Sequence, residues 1–286
     1  MREKRKISLI FIFALISNFI KAQEIYTYEK QINNVQNYIF SQIETLNKTD
    51  NVILKGTLIE PKTPYSKVVI IVPGSGKDTR NSHYKLTEKL LENNIAVYRY
   101  DERGCGTSTG TFNTYYYNVN DMTNDLKFVF NDLKKQKLLE NKKIGLIGHS
   151  LGGTLSLWLA STKTDMFKKA ILIDALPCSA ALMIPNYKGD IIAYDNPQSN
   201  AMLKMNKSDF DAMNSQSVSY MCLNKNKHEI INKWMSLADR KTYVYGYIDM
   251  LNLDLRKDIA KIKIPVVILA ATSPNIEMVK NTYTKQ

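Results

Sequence analysis

The chain is poor in several features that carry function elsewhere. Its 286 residues hold three cysteines, Cys105, Cys178 and Cys222. The number is odd and no metal-ligand spacing appears, which argues against a disulfide framework and a cysteine-type zinc site. Cys178 and Cys222 lie in the same later region and remain a candidate pair in an oxidising compartment. Histidine is equally scarce, with only His83, His149 and His228 to serve as a general base. There is no arginine-rich helix and no interleaving of basic and aromatic residues. The formal charge of +12 therefore reads as solvated basic surface, and no nucleic acid partner is expected. No phosphate loop is present. In Pro73-Gly-Ser-Gly-Lys-Asp78 the first glycine of the required spacing is replaced by Ile71, and Asp78 stands where Ser or Thr belongs. Gly104, Gly106 and Gly110 miss the dinucleotide spacing, so no nucleotide, and no cofactor at all, is expected. Internal repeats and low-complexity linkers are also missing.

The N-terminus is distinctive. Arg2-Glu-Lys-Arg-Lys6 leads into an apolar run from Ile7 to Ile20, then Lys21-Ala22-Gln23. The run is shorter than the ~20 residues a spanning helix needs, and it ends at an alanine-containing cleavage site. Residues 1–22 read as a signal peptide. The expectation is an exported protein, periplasmic or extracellular, with no stable membrane span after cleavage. The segment carries a net +4, leaving +8 for the rest.

The chain is organised around Lys143–Ala160. An apolar strand (Ile144–Ile147) runs into Gly148-His149-Ser150-Leu151-Gly152, then into a helix that is apolar almost all round and must be buried. This G-x-S-x-G pattern predicts a strained turn that lifts the serine hydroxyl above the sheet edge, with glycines where strand and helix backbones nearly touch. Ser150 is the candidate nucleophile. The N–H of Leu151, at the helix start, is a candidate oxyanion donor. A second donor is expected from Ser75 or Gly76, in the glycine-containing loop after the strand Lys67–Val72.

Strands and helices alternate through the chain. Strands are predicted at Val52–Ile59, Lys67–Val72, Ile95–Tyr100, Ile144–Ile147, Ala170–Ile173 and Ile264–Leu269. A helix with Leu86, Leu90 and Leu91 on one face precedes another near Asp121, where Met122, Leu126, Val129, Phe130 and Leu133 follow helical spacing. Residues 24–46 are polar and weakly patterned, with either a short helix over Val35–Ile43 or an edge strand. This alternation means a mostly parallel sheet covered on both faces, with its site beyond the C-terminal strand ends. Pro73–Arg80, Asp101–Gly110 and Gly148–Gly152 all fall there. Within the second loop, Asp101 and Arg103 are expected to bond each other and hold the loop. Residues 175–263 break the rhythm, with helical stretches around Ala201–Met205, Glu229–Ala238 and Leu253–Ile262. They contain seven of the eleven methionines. Such residues either line an adaptable apolar pocket beneath a lid or form the core of a small helical subdomain. The expected organisation is a signal peptide (1–22), a first core segment (23–174), a helical lid insertion (175–263) and a resumed core (264–286).

Acid and base are harder to place. His149 sits inside the turn and faces away from the hydroxyl. His83 belongs to a helix N-terminus, and His228 to an exposed helix start. The loop after Leu269 has no Asp, and its Glu277 comes late. Asp174, at the end of the preceding strand, is the geometric alternative for the acid, against a purely structural bond to the start of the insertion. The seventeen residues after Leu269 can form one helix and little else, so the chain is expected to stop before a last strand and a catalytic histidine.

Three motifs carry a family resemblance: Pro73-Gly-Ser-Gly with Asp78 and Arg80, Tyr100-Asp-Glu-Arg-Gly-Cys-Gly-Thr-Ser108, and Gly148-His-Ser-Leu-Gly-Gly153. Over roughly residues 50–174 and 254–280 the chain resembles the α/β-hydrolase superfamily, in particular bacterial esterases and serine aminopeptidase-like proteins. The insertion resembles the lid that follows the sixth strand of that fold. The resemblance implies a Ser-His-Asp hydrolase of esters or related acyl compounds, with a small acyl substrate. The alternatives are a small-peptide peptidase of the same fold or a non-catalytic relative lacking the triad histidine. Two departures stand out: the Asp after Leu269 is missing, and so is the histidine-bearing end.

Overall fold

The computed structural model describes residues 32–74, 78–111, 119–163, 165–271 and 275–284, with only the backbone of Tyr220. The expected signal sequence over 1–22 and both candidates for the second oxyanion donor, Ser75 and Gly76, lie outside these residues.

A seven-stranded sheet forms the centre, in the order β1-β2-β4-β3-β5-β6-β7. The first two strands, β1 (Tyr38–Asn47) and β2 (Val52–Pro61), pair antiparallel with Asn47 opposite Val52 and Tyr38 opposite Pro61. The ambiguous segment before residue 46 is thus mainly an edge strand, entered through a short 3₁₀ turn at Val35–Asn37. The remaining strands are β3 (Lys67–Val72), β4 (Ala96–Tyr100), β5 (Lys143–His149), β6 (Lys169–Ile173) and β7 (Val266–Leu269). β2 meets β4 antiparallel, and β4, β3, β5, β6 and β7 run parallel. Parallel strands covered on both faces need apolar residues at successive positions. All five residues of β4 are accordingly buried.

Alternate side chains divide the core. Ile59, Ile71 and Val97 point to one face, where Leu91 of α1 (Tyr84–Glu92) closes a small cluster. Leu58, Ile70, Val72 and Tyr98 point to the other, under α2 (Val119–Lys135) and α3 (Leu151–Thr162). There Leu126, Val129, Phe130, Leu133, Leu155 and Leu159 are all essentially buried, and the Phe130 and Phe167 rings lie 5.0 Å apart. The five positions predicted to form the inner face of α2 are all buried.

Between β6 and β7 the described residues carry six helices: α4 (Ala180–Met183), α5 (Pro197–Lys204), α6 (Lys207–Met221), α7 (His228–Ser236), α8 (Arg240–Asn252) and α9 (Arg256–Ile259). The sequence located α5, α7 and α9 approximately and missed α6 and α8, the longest two. α6 is rich in Ser, Asn and Asp. α8 is rich in Tyr, Thr, Val and Ile, which lower helix propensity. Both are started by caps instead: Asn206 accepts the Asp209 N–H, and Asp239 accepts the Thr242 N–H at 2.7 Å. α10 (Ile276–Thr284) follows β7, as one helix after Leu269 was expected. No disulfide joins Cys178, which is buried, to Cys222, which is half-buried. Among the described residues no helix is long and apolar enough to cross a membrane.

Asp101 and Arg103 do not bond each other. Asp101 takes the Arg80 guanidinium through both carboxylate oxygens, at 2.8–3.1 Å, with Thr107 N–H at 3.0 Å. Arg103 turns instead to α2, where its Nε and Nη2 meet the two oxygens of Asp125 at 2.8 and 2.7 Å. Asp50 adds a bond to Nη2 at 2.7 Å, and Asn47 Nδ2 donates to Asp125 at 2.6 Å. No local spacing reveals these partners, because folding brings them from 21 to 53 residues away. The loop is also sewn to β2 by Thr109 and Ser108. Asp125→Ala removes the bidentate partner of a guanidinium that is almost fully buried, and should cost about 3–5 kcal/mol in denaturant unfolding. Asp50→Ala, at the more exposed partner, should cost under about 1 kcal/mol. Equal losses would show that the buried pair is not the main anchor.

Candidate active site

The turn between β5 and α3 has the geometry its glycines require. Ser150 sits at φ 51° and ψ −124°, a conformation that costs a non-glycine residue about 1–3 kcal/mol. Surrounding bonds hold it there. Its N–H donates to Ile173 O of β6 at 2.8 Å, and its carbonyl accepts from Gly153 N–H at 2.9 Å and Thr154 N–H at 3.2 Å. A Cβ on Gly148 would stand 2.2 Å from Gly152 O, and one on Gly152 would stand 2.4 Å from Val72 O. Strand and helix backbones are in direct contact, leaving Ser150 half-buried at the sheet edge. Leu151 begins α3, so its N–H is among the first four that have no acceptor within a helix.

The loop after β3 lies against this turn. A Cβ on Gly74 would be 3.2 Å from His149 O and 3.9 Å from Gly152 N. The Gly74 N–H faces Asp78 Oδ2 at 3.4 Å and so is not a spare donor. Asp174 lies on the neighbouring strand end, exposed and at φ 49°. Its N–H donates to Leu269 O at 2.8 Å, and its Oδ1 accepts the Ala271 N–H at 3.3 Å. Asp174 is therefore tied to the loop after β7, not to the start of the insertion.

The three histidines occupy three different settings. His149 is exposed within the turn. His83 heads α1 with its Nδ1 4.0 Å from Asp78 Oδ2. Burial lowers its pKa, opposed by Asp78 and reinforced by His149 and Arg99. The ring of His228 begins α7 and bonds the Cys222 carbonyl at 2.6 Å, a local structural contact. None of the three is hydrogen-bonded to Ser150 Oγ among the described residues. No cluster of His, Cys, Asp and Glu placed to hold a metal occurs among them either.

The sheet order, the strained serine between glycines and the loop packed on it decide the kinship together with one comparison. A sequence profile described as "Serine aminopeptidase, S33" matches residues 63–280, most of the chain. The chain belongs to the S33 serine aminopeptidase family. Solved structures agree at the level of fold. A hydrolase from Pseudomonas aeruginosa is 19% identical with a TM-score of 0.55, over 84% of this chain and 82% of its own. An esterase from Pyrococcus furiosus is 18% identical with a TM-score of 0.53, over 88% and 78%. A proline iminopeptidase from Mycobacterium smegmatis is 14% identical with a TM-score of 0.52, over 80% of each chain. No curated protein matches in sequence. The S33 family member described here thus has the α/β-hydrolase fold, its sheet open at both edges.

Sequence reasoning missed two features of this family member. One is Glu102, buried under the loop after β3. The other is Asp249 of α8, whose carboxyl accepts the Tyr194 hydroxyl. Burial pushes Asp249 from 3.8 up to about 6, the Tyr194 bond opposes that, and the charge of Asp121 adds to it. The fold thus favours the protonated acid. The stability this group contributes is complete below about pH 4 and lost as pH rises through about 6. Asp249→Asn keeps an acceptor for Tyr194 and cannot ionise. Its unfolding free energy should be flatter across that window than the wild type's; parallel curves would exclude Asp249 as the source.

Proposed function

We propose that the protein is an exported serine hydrolase that cleaves carboxylic esters through an acyl-enzyme on Ser150. The observation that carries this reading is the Ser150 backbone, a strained conformation held at a site with no room for side chains on either side. In this reading Ser150 Oγ attacks the ester carbonyl carbon, and the negative charge that develops is held by the Leu151 N–H and an N–H from Ser75 or Gly76. The alcohol leaves with a proton, and water then releases the acid and regenerates the serine. Asp174, at the adjacent strand end, is the acid assigned to orient the histidine base that the family resemblance implies, a part that none of His83, His149 and His228 is placed to play among the described residues.

An apolar ester suits the helices between β6 and β7. None of the seven methionines between β6 and β7 is buried; Met183 and Met221 are exposed and the other five half-buried. They are therefore not a closed core, which favours a lid with an adaptable apolar underside. The family description supports a second reading, cleavage of short peptides. Residues 1–22 support export, and secretion of a reporter fused to them would test it.

Because no histidine bonds Ser150 among the described residues, the experiment should read the hydroxyl's reactivity directly. The folded protein is treated with a fluorophosphonate, digested and mapped by mass. An adduct on the peptide carrying Ser150 is expected, together with turnover of p-nitrophenyl butyrate in excess of aminoacyl p-nitroanilides. The reverse preference favours the peptidase. A folded protein that takes no label is a non-catalytic member of the family.

A further inference from the structure

Gly74 and Asp78, which follow β3, are each held by named contacts. Gly74 rests on the Ser150 turn, as described. Asp78 and Glu102 exchange two hydrogen bonds: Asp78 N–H donates to Glu102 Oε2 at 3.2 Å, and Glu102 N–H donates to the Asp78 carbonyl at 3.3 Å. Asp78 Oδ2 reaches back to Gly74 N–H at 3.4 Å, completing a chain from Glu102 to the turn. Glu102 is only 2% exposed, and its Oε1 has no hydrogen-bond partner. A buried carboxylate with one oxygen unsatisfied is costly, whereas the neutral acid is far less so.

We propose that Glu102 is a positioning residue that, as a neutral acid, fixes Asp78 and through it Gly74 against the Ser150 turn. The catalytic part of this inference rests on the reading of Ser150 as nucleophile; the anchoring part does not. The surroundings favour the neutral form. Burial pushes the Glu102 carboxyl well above the ordinary carboxylate range, the charges of Asp78 and Asp125 add to it, and the bond from the Asp78 N–H opposes it without reversing the direction. The groups around it are Asp78 from the loop, Asp125 from α2 and Tyr100 from β4, whose phenol is itself pushed up by burial and by Glu102. All three are acids. Arg103, the next residue, is paired with Asp125 and Asp50, and burial holds His83, 4.0 Å from Asp78, toward its neutral form. Ionising Glu102 would place a second negative charge next to Asp78, whose carboxylate holds the Gly74 N–H near the Ser150 turn. Loop and chemistry should both suffer at alkaline pH.

Two substitutions separate neutrality from bulk. Glu102→Gln keeps an acceptor for the Asp78 N–H and stays neutral, whereas Glu102→Ala removes the acceptor. In the full chain, amide-exchange protection of Asp78 N–H at neutral pH should match wild type in Glu102→Gln and fall about tenfold or more in Glu102→Ala. Protection should decline at alkaline pH in wild type and not in Glu102→Gln. A second readout is the saturating rate of fluorophosphonate attachment to Ser150. It should fall about 10- to 100-fold in Glu102→Ala, at a half-saturating concentration within about twofold of wild type, and be restored in Glu102→Gln. Glu102→Gln as damaging as Glu102→Ala, or an alkaline decline that survives in Glu102→Gln, overturns the proposal. Protection that behaves as expected in a wild type taking no label supports the anchor and sinks the serine-hydrolase reading instead.

Discussion

Ser150→Ala is expected to lower ester turnover by about 10³-fold or more, to abolish fluorophosphonate labelling and to leave the melting temperature nearly unchanged. The two halves have separate causes. On the proposed reading chemistry is lost because the hydroxyl oxygen forms the acyl bond, and the residual rate is what oxyanion donors and binding achieve alone. Stability is kept because the contacts that hold this residue are made by its backbone, to Ile173 O, Gly153 N–H and Thr154 N–H. Alanine at φ 51° carries the same strain as serine, so the substitution neither adds nor relieves it. Turnover, labelling and thermal unfolding on one preparation decide the matter. A variant that still hydrolyses ester at the wild-type rate would move the nucleophile elsewhere.

Gly148→Ala should do the opposite and damage fold and chemistry together. The added Cβ would lie 2.2 Å from Gly152 O and 2.3 Å from Gly152 C, both backbone atoms that no rotamer change can move. β5 and α3 must separate, and with them the contact that sets Ser150. A loss of about 3 kcal/mol or more is expected, at or beyond the upper end of ordinary overpacking. Gly145→Ala, on the same strand, is the control. There the Cβ finds its nearest atom at 3.6 Å, an ordinary contact, so the change should stay within about 1 kcal/mol. Denaturant unfolding of the pair is the measurement. Equal stability of the two variants would show that the crossing yields more easily than its backbone contacts imply.

Much of this was legible without coordinates because it depends on near neighbours in the chain. An apolar run of five residues, Val68–Val72, announced β3, a helical stripe announced the inner face of α2, and G-x-S-x-G announced a strained serine between strand and helix. Each signal is local, and each element is buried enough that periodicity alone identifies it. The helices between β6 and β7 were harder. α6 and α8 are held by caps and by a face that is only partly apolar, so neither periodicity nor propensity pointed to them. The expected bond between Asp101 and Arg103 failed for a related reason: nearness in sequence was mistaken for pairing, while the true partners arrived from β1–β2, the loop after β3 and α2.

The sequence by itself determined the fold class, the chain order of its core strands and the turn that presents Ser150, because strand, glycine and helix signals lie within a few residues of one another. The tertiary structure alone decided which charges meet. It gave Asp101 to Arg80, gave Arg103 to Asp125, tied Asp174 to the loop after β7 and buried Glu102 beneath the loop at Asp78. Burial and partner choice depend on segments far apart in the chain, and desolvation, which pushes the Glu102 carboxyl above the ordinary carboxylate range, exists only once those segments have packed.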